Sequence, residues 1–120
     1  MSLCVLVGGK TIVMAVAAFT LSWTHSIERT EWLENWQVTG AGLELVEARV
    51  KGSGAGMEPP DGARLKEGWW VYRPTIGAQS RLVLAASGAT QAGWKLCGGA
   101  ECMTLGETAA EPIVISACNG

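Results

Sequence analysis

At 120 residues the chain has the size of one domain that can bury its own core, so 1–120 is read as a single β domain. Charged residues make up only 17% and there are 16 glycines, a balance that excludes a disordered chain or a coiled coil and suits tight turns between strands. The net charge of −2 gives no footprint for nucleic acid, and Lys51, Arg64 and Lys66 flank a loop without forming a basic run.

The chain opens with two apolar runs, LCVLV and TIVMAV, separated by Gly8-Gly9 and Lys10. Both glycines tolerate positive φ, which is the signature of a type I′ hairpin turn. Thr11 to Thr24 is uncharged but shorter than the about 20 apolar residues of a membrane helix. Ala15-Val16-Ala17 has the small-x-small form of a signal-peptide cleavage site. Lys10 lies inside the would-be apolar region and nothing basic precedes it. The region is therefore read as strands, with no membrane span of its own.

From Phe19 the alternation sharpens. Phe19, Leu21, Trp23, His25 and Ile27 share one side, and Trp32, Glu34, Trp36 and Val38 continue the pattern. A turn at Glu28 to Glu31 sets Ile27 opposite Trp32, His25 opposite Glu34, Trp23 opposite Trp36 and Leu21 opposite Val38. A one-residue slip would place the tryptophans against threonine and serine. A helix over HSIERTEWLENW competes with this hairpin, but only the strand register accounts for every aromatic.

Thr39 to Gly42 then makes a turn, LELVEARV (Leu43 to Val50) a strand, and KGSGAGMEPPDG a loop. GWWVYRP and SRLVLAAS follow as strands, GWKLCGGAECMTL as a hairpin turning at Gly98-Gly99, and EPIVISAC as the last strand. About eight short strands with glycine turns predict an all-β fold, an antiparallel β-sandwich or barrel.

His25, Glu28, Glu31, Glu34 and Glu47 offer the materials for acid–base chemistry or a metal site. A carboxylate beside an imidazole fixes its tautomer and raises its pKa. Zinc usually takes three protein ligands of His, Cys or carboxylate type, and the chain has one histidine. His25 and Ser26 point to opposite faces of a strand, so they form no hydrolase dyad. The reading preferred here is a buried His25–Glu34 pair flanked by Trp23 and Trp36, with Glu28 and Glu31 at the exposed tip. No metal and no cofactor are expected.

GSGAGM (Gly52 to Met57) and GGKT (Gly8 to Thr11) imitate phosphate loops. The first lacks room for the helix such motifs need, because Pro59-Pro60 follows. The second has Cys4 where the first glycine belongs. A turn or bulge is the ordinary explanation, and a nest of glycine amides at Gly52 to Met57 is the functional one.

Cys97 and Cys102 straddle GGAE, so a hairpin sets them opposite each other at Cα separations of about 5.5 Å. Cys4 and Cys118 lie in the first and last strands. Of the three pairings open to four cysteines, Cys97–Cys102 with Cys4–Cys118 is the one expected, ahead of a zinc site with poor ligand spacing. Paired cysteines place the domain in an oxidising compartment such as the periplasm; the lack of a clear signal peptide argues for the cytoplasm. Of the six tryptophans, Trp23, Trp32 and Trp36 belong to the core side. Trp69 and Trp70 are adjacent, so one faces outward as a ligand or partner contact.

With these residues in place, the chain resembles a bacterial family known as domain of unknown function 1850. The stretches that carry the likeness are FTLSWTHSIERTEWLENWQV, LELVEARVKGSGAGMEPPDGA and GWWVYRP, with the cysteine-bearing tail WKLCGGAECMTL and VISAC. The resemblance picks out His25, Ser26, Glu28, Thr30, Glu34, Glu47, Gly54, Ala55 and Gly56. It also implies an association with TRAP transporters (tripartite ATP-independent periplasmic) of the TAXI type, beside which members are commonly encoded. The partners it implies are TRAP transporter components or a solute-binding protein.

Three functional readings follow. The first is a non-enzymatic accessory or binding module of a TRAP-type system, using the hairpin tip and the 52–57 loop. The second is a hydrolytic or metal-dependent enzyme centred on His25 and Glu34. The third is a structural protein-interaction domain that assembles through an exposed tryptophan or an edge strand.

Overall fold

The computed structural model describes residues 1–24, 30–51, 62–85, 93–106 and 111–118. They form eleven strands: β1 (Ser2–Val7), β2 (Lys10–Met14), β3 (Ala18–Thr24), β4 (Glu31–Thr39), β5 (Gly42–Lys51), β6 (Arg64–Lys66), β7 (Trp69–Tyr72), β8 (Arg81–Leu84), β9 (Trp94–Gly98), β10 (Glu101–Leu105) and β11 (Ile113–Cys118). A four-stranded sheet runs β2-β1-β11-β8 and a seven-stranded sheet runs β10-β9-β3-β4-β5-β7-β6. All pairings are antiparallel. No helix of the described residues is long and apolar enough to cross a membrane.

The expected all-β sandwich is formed, with eleven strands where about eight were anticipated. The unforeseen β6 reads Arg-Leu-Lys, too short and too charged to show an apolar alternation. Gly8 and Gly9, both at positive φ, close the β1–β2 hairpin as expected. The β9–β10 turn sits one residue later than anticipated, because Gly98 still pairs with Glu101.

The two sheets meet over a core in which Leu3, Val5, Met14, Ile113 and Ile115 face Phe19, Leu21, Trp36, Val38, Leu43 and Leu96. In β5 the apolar phase changes between Leu45 and Ala48. A bulge explains it: Asn35 pairs with Glu47 and Trp36 with Leu45, leaving Val46 as the extra residue. Both apolar pairs of β5 thereby keep to the inner face.

The β3–β4 register differs from the expected one. Trp23 stands opposite Trp32, Leu21 opposite Glu34 and Phe19 opposite Trp36. The slide of four residues preserves parity, so face matching could not detect it. Aromatic pairing explains the outcome. Trp23 and Trp32 stack at 5.9 Å, and Phe19 and Trp36 at 6.2 Å. The expected register offered only one aromatic pair, and each such pair contributes about 0.5–1.5 kcal/mol beyond its buried area.

Two disulfides tie the fold, in the pairing expected. Cys4–Cys118 joins β1 to β11 with Cα atoms 5.9 Å apart. Cys97–Cys102 links directly opposed residues of β9 and β10 at 4.1 Å.

Candidate functional site

Combining the registers places Glu34 in a transverse row across the inner face: Leu96, Leu21, Glu34, Ala48, Tyr72. Its neighbours on either side, Leu21 and Ala48, are buried. The Glu34 carboxylate therefore looks into apolar surroundings, where its Oε1 accepts a hydrogen bond from Trp36 Nε1 at 3.1 Å. Burial pushes its pKa above the ordinary carboxylate range, and the Trp36 N–H opposes the shift in part. Tyr72 is also pushed up, first by burial and then by the negative charge of Glu34. Ala48, standing between them, is too small to screen one from the other.

The next row is aromatic. Trp94, Trp23, Trp32, Val50, Trp70 and Leu65 succeed one another from β9 to β6. Trp94 tilts against Trp23 at 4.8 Å and donates its Nε1–H to the Ala85 carbonyl at 3.0 Å. Trp23, Trp32 and Trp36 keep to the inner side as expected, but only Trp36 is fully buried.

The carboxylates gathered by sequence reasoning do not converge. Glu34 is on the inner face, whereas Glu47 lies on the outer face, accepting from Asn35 Nδ2 at 3.1 Å and Arg49 Nε at 3.0 Å. Glu31 begins β4 exposed, paired with Thr24, and Thr30 before it is buried. Because Glu34 is paired with Leu21, the expected His25–Glu34 opposition is not the register formed. His25, Ser26, Glu28, Gly54, Ala55 and Gly56 lie outside the described residues.

Trp69 and Trp70 divide as anticipated. Trp70 pairs with Val50 and Leu65 on the inner face. Trp69 takes the outer face, with Lys51 Nζ 5.6 Å from its ring centroid. There it borders a groove of about 390 Å³ with Ser22, Thr24, Glu31, Leu33, Lys95 and Thr104, and Trp23, Trp32 and Gly93 also contribute to the lining. Sequence reasoning missed Leu33 and Lys95. Leu33 carried a signal, being the one apolar residue among the outward positions Glu31, Leu33, Asn35 and Gln37 of β4. Lys95 carried none, since only the β3–β9 pairing brings it alongside Ser22.

The model of the family described as Domain of unknown function (DUF1850) matches residues 19–105. That span holds every strand of the seven-stranded sheet, together with β8, and leaves out β1, β2 and β11. No curated protein and no solved structure matches the chain.

Proposed function

Because the chain belongs to the family described as Domain of unknown function (DUF1850), we propose, from its own surface, that it is a non-enzymatic accessory or binding module whose contact site is the outer groove at Trp69. The observation that carries this reading is the groove itself. The outer face of a sandwich sheet is normally a solvated, polar surface; here Trp69 and Leu33 border a concavity of about 390 Å³ whose lining also includes Trp23, Trp32, Lys95 and Glu31. Tryptophans in such settings are the side chains that most often anchor partners. The family match covers this face, and the two disulfides support work in an oxidising compartment. The resemblance to families encoded beside TRAP transporters supplies the partner to try, a solute-binding protein or membrane component of such a system.

The test is a binding titration of the full chain against the purified TRAP solute-binding protein of the same genome, and against the detergent-solubilised transporter. Saturable association with one of them is expected. Trp69→Ala should weaken it by about 2 kcal/mol or more, roughly thirtyfold, while the melting temperature stays close to that of the parent. Association unaffected by Trp69→Ala would remove the groove from the proposal. No association with either component would remove the transport partner.

A further inference from the structure

The outer face of the seven-stranded sheet concentrates positive charge that the net charge of −2 conceals. The registers run Lys95, Ser22, Leu33, Arg49, Val71, Arg64 in one row across β9, β3, β4, β5, β7 and β6. Lys66 pairs with Trp69 one row away, and Lys51 lies over the same ring. Arg73 directly follows β7 and lines the same cavity as Arg64 and Lys66. These six cations, Arg49, Lys51, Arg64, Lys66, Arg73 and Lys95, come from a total of nine lysines and arginines in the chain.

Three of them converge. A cavity of about 560 Å³ beside β6 and β7 is lined by Arg64, Lys66 and Arg73, with Val71, Tyr72 and Glu47. The Glu47 carboxylate is engaged through Oε2 by Arg49 and Asn35, so among the described lining residues the remaining charges are cationic. Two guanidinium forks suit planar or tetrahedral oxyanions, and a lysine adds a third point charge. The volume falls within the range of small-molecule sites and is far larger than one inorganic ion needs. Val71, on the same face as Arg49 and Arg64, provides an apolar contact for a carbon skeleton.

We propose that this cavity binds a small organic molecule carrying two or more oxyanion groups, phosphate or carboxylate. The site is separate from the Trp69 groove and does not rest on the reading given for it. A concave pocket with three converging cations favours a compact ligand over an extended polyanion, whose charges would need a continuous strip.

The experiment is isothermal titration of the full chain at low ionic strength with pyrophosphate and with citrate, which separate phosphate from carboxylate preference. Saturable one-to-one binding of at least one probe is expected, weakening as salt is raised. Arg64→Gln and Arg73→Gln, both at exposed positions, should each weaken it about tenfold. Arg81→Gln, on the other sheet, should leave it unchanged, with circular dichroism confirming that all variants fold. Three results would overturn the proposal: neither probe saturates, Arg81→Gln weakens binding as much as Arg64→Gln, or anionic phosphatidylglycerol vesicles bind while both soluble probes fail.

Discussion

Replacing Trp36 with phenylalanine isolates the hydrogen bond that Trp36 donates to Glu34. The substitution keeps a ring to stack on Phe19 and deletes the N–H that Glu34 Oε1 accepts at 3.1 Å. Two losses add. A hydrogen bond to a charged group contributes about 1.5–3 kcal/mol, and the lower end applies because Glu34 is only half-buried. Trimming an indole that is 4% exposed to a phenyl ring costs roughly another 1–1.5 kcal/mol in lost burial and cavity. The sum is about 3 kcal/mol at neutral pH, a fall in melting temperature of about 12 °C for a domain of this size.

The pH dependence separates the two losses. Glu34 titrates above its ordinary value in the folded state, because burial outweighs the Trp36 bond. The folded protein therefore holds the Glu34 proton more tightly than the unfolded chain does. Its favourable contribution is complete below the unfolded carboxylate pKa and is lost as pH rises through the raised folded value. Removing the Trp36 N–H pushes that value further up, so Trp36→Phe should cost about 1 kcal/mol more at pH 7 than at pH 3.5, the difference between a charged and a neutral acceptor. In a Glu34→Gln background nothing titrates at this position, and the penalty should be equal at both pH values. Urea unfolding followed by far-ultraviolet circular dichroism gives all four differences. An equal penalty at both pH values in the Glu34 protein would refute the reasoning, as would a pH-dependent penalty that survives in Glu34→Gln.

The two disulfides should contribute unequally. Cys4–Cys118 closes a sequence separation of 114 and Cys97–Cys102 one of 5, so paired serine replacements should cost about 5 and about 2 kcal/mol on loop-closure grounds; denaturant midpoints that rank the other way would contradict this. Gly42 has φ +122, and an added Cβ there would lie 2.5 Å from the Gln79 carbonyl oxygen. That oxygen accepts from Leu43 N at 2.8 Å, so Gly42→Ala should cost about 2–3 kcal/mol and loosen the Leu43–Gln79 bridge, seen as faster amide exchange at Leu43 and Gln79.

Parity was legible in the sequence and register was not, and the difference is physical. Whether Trp23, Trp32, Trp36 and Glu34 share a face depends on a period of two, which any stretch of strand displays. Which of them stand opposite each other depends on where the connecting turn begins. A slide of four residues leaves every face assignment intact. The disulfides succeeded for a related reason: Cys97 and Cys102 are fixed by a short turn, and Cys4 with Cys118 by the pairing of the first and last strands. Glu34 was correctly seen to point inward. Its environment was misjudged because its neighbours across the strands, Leu21 and Ala48, are apolar rather than ionisable.

The same distinction accounts for the cationic face. Each strand announces its own outward residues: Arg49 and Lys51 in β5, Arg64 and Lys66 in β6, Trp69 and Val71 in β7. Read singly, these are ordinary solvated positions, and summed with the rest of the chain they vanish into a net charge of −2. What joins them is the order β5-β7-β6, in which β7 returns between its predecessors and sets Val71 between Arg49 and Arg64. The outward cations of β5 and β6, with Trp69 and Val71 of β7 between them, thereby come to share one face. Glu47 is ion-paired with Arg49 and Glu31 stands opposite Lys51, while Arg64, Lys66 and Arg73 line the cavity together. Three cations brought to one cavity on the family-matched sheet are the charge that the proposed anionic ligand would offset.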